Sequence, residues 1–293
     1  MFKEGVPAAA LLDIRTLFRQ SSFFMSKLLA DLLHNCRVKI YPDGSRSVLV
    51  SSAPIFREKG WEDSDKWEAE FREKNENVSK FVNLQRAKRR AKAAVFDLAL
   101  SNDFKFFVTL TLDSEKINRY DISVVTKKLN VWLDNNVRRK GLKYILVPEF
   151  HKDSAIHFHG FFNDALSVSD SGALSDGGKP KKPRSAKNRA QMIDNGFRVV
   201  YNLPAWSLGF TTAIEIYGDR RAACGYVCKY ITKANDKVGG RWYYSGGGLA
   251  LPEIELFDVD FADFVGNPGF SIDALGADVV KFWLERGEEL WIK

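Results

Sequence analysis

The sequence predicts an α+β fold, and three observations carry that prediction. Phe106-Phe-Val-Thr-Leu-Thr-Leu112 alternates in β-branched and aromatic residues, the clearest strand signature in the chain. Lys143–Val147 and the segment around His157-Phe158-His159 read as strands joined by a short turn near Asp153, which makes them an antiparallel pair. Helical patterns over 78–100, 121–139 and 218–233 are interleaved with these strands.

Taken in order, apolar spacing predicts a helix over 8–33, and Pro42-Asp43-Gly44 predicts a hairpin between Arg37–Tyr41 and Ser47–Val50. The charged stretch 57–77 reads as an exposed helix or a linker. The helix over 78–100 carries Arg86, Lys88, Arg89, Arg90 and Lys92, a basic face that either stays solvated or contacts DNA. In the 106–112 strand, Phe106, Val108, Leu110 and Leu112 face one way and Thr109 and Thr111 the other. The helix over 121–139 stops at Gly141. From Asp164 to Asp194 the composition turns to Ser, Gly, Asp, Pro and Lys, the mark of a flexible basic insertion. Phe197–Tyr201 and Thr211–Tyr217 read as further strands. The tail runs through an acidic stretch, 253–263, and is expected to end in a short apolar helix. These readings divide the chain into an N-terminal helix and hairpin (1–77), a central domain (78–240, with the insertion at 164–194) and a C-terminal extension (241–293).

The totals narrow the class. With 293 residues, 45% of them hydrophobic, the chain can bury a proper core, and its net charge of +7 favours a polyanionic partner. Three cysteines make no disulfide framework and point to a reducing, cytoplasmic setting. Cys224 and Cys228 read as buried small residues rather than zinc ligands. Phe23–Leu33 is too short and too charged to span a bilayer, so no membrane is expected. No Gly-x-x-x-x-Gly-Lys-Ser/Thr loop supports an ATPase.

His157 and His159 share one face of their strand, while Ile156, Phe158, Gly160 and Phe162 take the core face. With the turn centred near Asp153, Glu149 pairs directly opposite His157, and opposed Cβ atoms stand about 4.5–5.5 Å apart. A slip of one residue would turn Glu149 away. Two imidazoles and a carboxylate suit a catalytic divalent cation, Mn²⁺ or Mg²⁺ in phosphate chemistry, with zinc or iron open on ligand type alone. A same-face histidine pair also fits a plain sheet surface. His151 falls in the turn and is left outside the site.

Tyr226 and Tyr230 lie four apart and project from one helical face, with Lys229 and Lys233 as a second such pair. A phenol is a poor nucleophile at neutral pH; a metal that polarises a phosphate and a lysine that steadies developing charge make it a competent one. By itself the helix also fits a core element with tyrosine tips at the surface. The joint occurrence of Glu149, His157, His159 and this helix favours chemistry.

The order Phe-Val-Thr-Leu-Thr-Leu, then Glu-x7-His-hydrophobic-His, then Tyr-x-x-Lys-Tyr-x-x-Lys resembles the HUH endonucleases over roughly residues 80–235. More narrowly it is similar to the rolling-circle replication initiators of single-stranded DNA phages and small plasmids, including the two-tyrosine microvirus A-protein group. The resemblance implies a central antiparallel sheet, HUH/RRM-like, flanked by helices. It also implies metal binding by Glu149, His157 and His159, and nucleophiles at Tyr226 and Tyr230 with Lys229 and Lys233 at the DNA phosphates. Candidate DNA-binding residues are Arg86, Lys88, Arg89, Arg90, Thr109 and Thr111. The implied enzyme nicks one strand at an origin in a bacterial host cell, stays on the 5′ end, and leaves a 3′ hydroxyl to a host polymerase and helicase. Two other readings share parts of the pattern: a transposase or relaxase of the same chemistry, and a non-catalytic single-strand binder in which Tyr201, Trp242, Tyr243 and Tyr244 stack bases.

Overall fold

The β-branched run at 106–112 forms the middle strand of a seven-stranded sheet. A computed structural model describes residues 33–57, 80–151, 153–234, 236–264, 270–272 and 278–288. The expected helix over 8–33 falls almost entirely outside these residues, as does the 58–77 part of the charged stretch. The chain forms two units, Asn77–Pro252 and the pair of segments Met1–Glu76 and Glu253–Lys293.

In the first unit the order is α1 (Lys80–Ser101), β1 (Phe106–Leu112), α2 (Ile122–Lys140), β2 (Tyr144–Phe150), β3 (Ile156–Phe162), β4 (Ser169–Ser175), α3 (Ala186–Asp194), β5 (Arg198–Asn202), β6 (Gly209–Glu215), α4 (Arg220–Lys233) and β7 (Tyr244–Gly246). The strands line up as β7-β2-β3-β1-β6-β5-β4, every pairing antiparallel. Its alternation decides the two faces. Val108, Leu110, Leu112, Ile156, Phe158 and Phe162 are buried with Val125, Leu129, Trp132 and Leu133 of α2. Trp132 stacks on Phe162 with centroids 6.1 Å apart. α2 begins where the Asp121 carboxylate accepts the Val124 N–H, and stops at Gly141, whose φ of 70° is the left-handed cap that glycine takes without strain. On the opposite face α4 packs over β2 and β3, beside α1.

β7 pairs only with Tyr144, Ile145 and Leu146, so residues 147–150 of β2 form an open edge. Pro148, which has no N–H to give a further strand, is tolerated there.

The stretch 164–194, read from composition as a flexible insertion, carries β4 and α3. Ser185 caps α3 by accepting the Asn188 N–H. Tyr244–Gly246, read as part of the C-terminal extension, forms the edge strand of the site's own sheet.

In the second unit the predicted hairpin is present, with Cys36–Ile40 paired to Arg46–Ser51 around Gly44. The tail departs from expectation. Asp278–Leu284 is a strand, not a helix, and pairs along Arg46–Ser51 in a five-stranded sheet. A partner strand remote in sequence supplies the ladder that an isolated apolar segment lacks.

Candidate functional site

The predicted register holds. Glu149 pairs with His157 across β2 and β3. The connection is closed by His151 N–H donating to Ala155 O at 2.8 Å and by Asp153 Oδ1 accepting the Ala155 N–H. Ser154, with φ of 67°, turns the chain. On the other side of β3, Thr111 pairs with His157 and Thr109 with His159.

Both imidazoles therefore rest on threonine hydroxyls. Thr109 Oγ1 lies 3.1 Å from His159 Nδ1, and Thr111 Oγ1 lies 3.4 Å from His157 Nδ1. His159 Nε2 meets Glu149 Oε2 at 2.9 Å. The network assigns the tautomer: Nε2–H donates to the carboxylate, and the Thr109 hydroxyl donates to Nδ1. Burial, then His157 and Lys233, push the His159 pKa down to about 4, so this is a neutral imidazole facing a carboxylate. Burial first and His151 second also hold His157 below the ordinary histidine value.

Among the described residues, no three His, Cys, Asp or Glu side chains stand ready-arranged around one ion. The donor set nevertheless fits a divalent cation in kind. Two neutral imidazoles and a carboxylate share one sheet face, and each Nδ1 is already occupied by an outer-sphere hydroxyl. Glu149 stands at the nitrogen that a cation would take on His159.

α4 is capped by Asp219, whose carboxylate accepts the Arg221 N–H, and its tyrosine face lies over this row. Tyr230 stacks on His159, centroids 4.1 Å apart and planes 7° apart. Tyr226 packs edge-on against Phe107 at 5.5 Å. The Tyr230 hydroxyl donates to that of Tyr226 at 3.1 Å. The two phenols differ in exposure, 44% for Tyr226 and 9% for Tyr230. Burial, followed by the Tyr226 hydrogen bond, raises the Tyr230 pKa far above the usual phenol value. Lys229 Nζ lies 5.5 Å from the Tyr226 ring centroid and Lys233 Nζ 5.6 Å from that of Tyr230. Cys224 and Cys228 are buried free thiols, as expected of packing residues.

The proposed DNA-binding residues separate. Arg89 and Arg90 are exposed and Arg86 is half-buried. Lys88 turns inward, donating to Thr232 O at 3.4 Å and lying over the Trp242 ring at 5.6 Å, so it braces α4 and is not offered to DNA. Thr109 and Thr111 support the imidazoles first of all.

Three residues near the site were not singled out from sequence. His151, placed in the turn and set aside, stacks on His157 with centroids 5.1 Å apart. Arg119 binds Asp153 Oδ2 at 3.0 Å and so pins the turn. Phe107, which carries Tyr226, had a signal: it is an aromatic on the strand face that otherwise holds threonines.

Residues 105–235, under half of the chain, match the family model of the replication-associated protein ORF2. That match covers β1 through the end of α4 and is consistent with a rolling-circle replication protein. No curated protein and no solved structure was found to match the chain.

Proposed function

We propose that this protein is a replication-initiation endonuclease that nicks one DNA strand at an origin by tyrosine attack. The observation that carries this reading is the stacking of Tyr230 on His159, which sets the tyrosine helix directly over the Glu149–His157–His159 row. The family match to replication-associated proteins over the same residues supports it.

Glu149, His157 and His159 would hold a divalent cation, Mn²⁺ or Mg²⁺. Once bound, the ion supplies Lewis-acid polarisation of the scissile phosphate. Thr109 is suited to both states, because a hydroxyl can give a proton to Nδ1 or accept one from it, leaving Nε2 free to ligate. Tyr226, the exposed phenol, is the attacking group, and Tyr230 positions it through the inter-phenol hydrogen bond. The Tyr226 oxygen forms a bond to phosphorus as the bond to the 3′ oxygen breaks. The phenolic proton passes to water, and the departing oxygen takes a proton from water to become the 3′ hydroxyl. Lys229 and Lys233 steady the charge that develops beside the phenols. The 5′ end stays on the protein as a phosphotyrosine, and the 3′ hydroxyl serves a host polymerase working with a host helicase.

The test incubates the full chain with single-stranded origin DNA and Mn²⁺, followed by denaturation. A protein–5′-DNA adduct is expected, lost with EDTA and in Tyr226→Phe/Tyr230→Phe. An undiminished adduct in the double variant would sink the assignment. Binding without any adduct would instead favour a non-catalytic single-strand binder. An adduct confined to transposon ends or transfer origins would favour a transposase or relaxase.

A further inference from the structure

The row that holds Glu149, His157 and Thr111 continues one strand further. β6 pairs with β1 so that Phe210 stands opposite Thr111. Glu149, His157, Thr111 and Phe210 thus form one transverse line across β2, β3, β1 and β6, all on the face that carries the imidazoles. The alternate residue Ala213 takes the core face and is fully buried, whereas Phe210 is 66% exposed. Its position is fixed by its neighbour: a Cβ on Gly209 would lie 2.1 Å from Thr111 O, so β6 approaches β1 as closely as only glycine permits.

We infer that Phe210 is a stacking platform for an unpaired nucleobase of the strand engaged at the Glu149–His157 row, an inference that rests on the function proposed above. Strand spacing puts the Phe210 backbone about 10 Å from that of His157, the place of a base flanking the reacting phosphate rather than of the phosphate itself. The surroundings select the ligand. Thr111, Thr212 and His157 are all partly exposed polar neighbours on this face, so the ring is a lone apolar surface in a polar frame. A protein partner would call for a contiguous apolar patch. A base, apolar on its face and polar at its edge, matches a lone ring among hydroxyls.

The test measures affinity of the full chain, without divalent metal, for oligo(dT) of about 16 nucleotides. An equally long abasic oligomer serves as the comparison. Phe210→Ala is expected to weaken oligo(dT) binding about ten-fold, to match wild type on the abasic strand, and to keep the wild-type melting temperature. Phe210→Trp is expected to retain affinity. Equal binding of oligo(dT) by wild type and Phe210→Ala, an equal loss on both strands, or no wild-type binding of oligo(dT) would overturn the inference. The adduct assay run alongside separates the two ideas. An adduct with Phe210-independent affinity removes only the stacking platform. Phe210-dependent affinity without any adduct removes only the endonuclease.

Discussion

The rings of Tyr230 and His159 lie parallel, 4.1 Å between centroids, and this contact docks the tyrosine helix on the histidine strand. It also makes the two tyrosines unequal. Tyr230 has its faces covered and gives its proton to the Tyr226 oxygen, while Tyr226 remains 44% exposed.

The first prediction follows from that inequality. Tyr226→Phe should reduce covalent adduct to background in a single turnover. Tyr230→Phe keeps the ring on His159 and loses only the hydroxyl, so adduct formation should persist with a rate reduced by about ten-fold or less, the scale of one neutral hydrogen bond. Denaturing gels of wild type and the two single variants distinguish them. Equal adduct from Tyr226→Phe and wild type would reassign the attack to Tyr230.

The threonines under the imidazoles carry the second prediction. Thr109→Val preserves shape but leaves His159 Nδ1 without its partner at a site only 9% exposed. It should destabilise the fold by about 1–3 kcal/mol, the cost of a buried unsatisfied polar group. Mn²⁺ affinity of the full chain, read by the free-ion resonance signal, should fall about 10- to 100-fold, the usual effect of removing an outer-sphere partner. Thr109→Ser should restore affinity to near wild type. A valine variant that binds Mn²⁺ normally would show that the hydroxyl has no part in holding the ligand ring.

Much of this site was legible from sequence, because its determinants are local. Alternation separates Thr109 and Thr111 from the core residues of β1, and a turn at Asp153 fixes Glu149 against His157. Helical spacing puts Tyr226 and Tyr230 on one face. What escaped depends on contacts remote in sequence. Nothing within the basic helix tells Lys88 from Arg89, since Thr232 and Trp242 decide which cation turns in. The strand at Asp278–Leu284 is likewise decided by its pairing with Arg46–Ser51. Phe210 sits just ahead of the segment that alternation picked out, and only its pairing with Thr111 aligns it with the site.

The fate of the basic helix gives the third prediction. Arg89→Ala and Arg90→Ala, both exposed, should each lower the slope of log affinity against log salt for single-stranded DNA by about 0.7 if they contact phosphates. Lys88→Ala should leave that slope unchanged. It should lower the melting temperature instead, because the lysine stem and ammonium bridge α1 to α4 and Trp242. A reduced salt slope in Lys88→Ala with unchanged stability would restore it to the DNA-binding set.

The last prediction concerns what holds the register on which the whole row depends. A Cβ at Gly160 would lie 1.8 Å from Ile145 O and 2.9 Å from Leu146 Cα, both backbone atoms that no rotamer change can move. β2 and β3 therefore close on each other only with glycine at this position, between the His159 that binds Glu149 and the Phe161 that underlies the helix side. Gly160→Ala should destabilise the chain by about 3 kcal/mol, the upper part of the range for an overpacked core. Because the strain is relieved by parting these two strands, Glu149 should also lose its place beside the imidazoles. Chemical denaturation measures the first effect. The second is read as the loss of stabilisation by Mn²⁺, which for a bound ion at a hundred times its dissociation constant is worth about 2.7 kcal/mol. A Gly160→Ala variant that is destabilised yet still stabilised by Mn²⁺ as the wild type is would show that the ligand row does not depend on the closeness of β2 and β3.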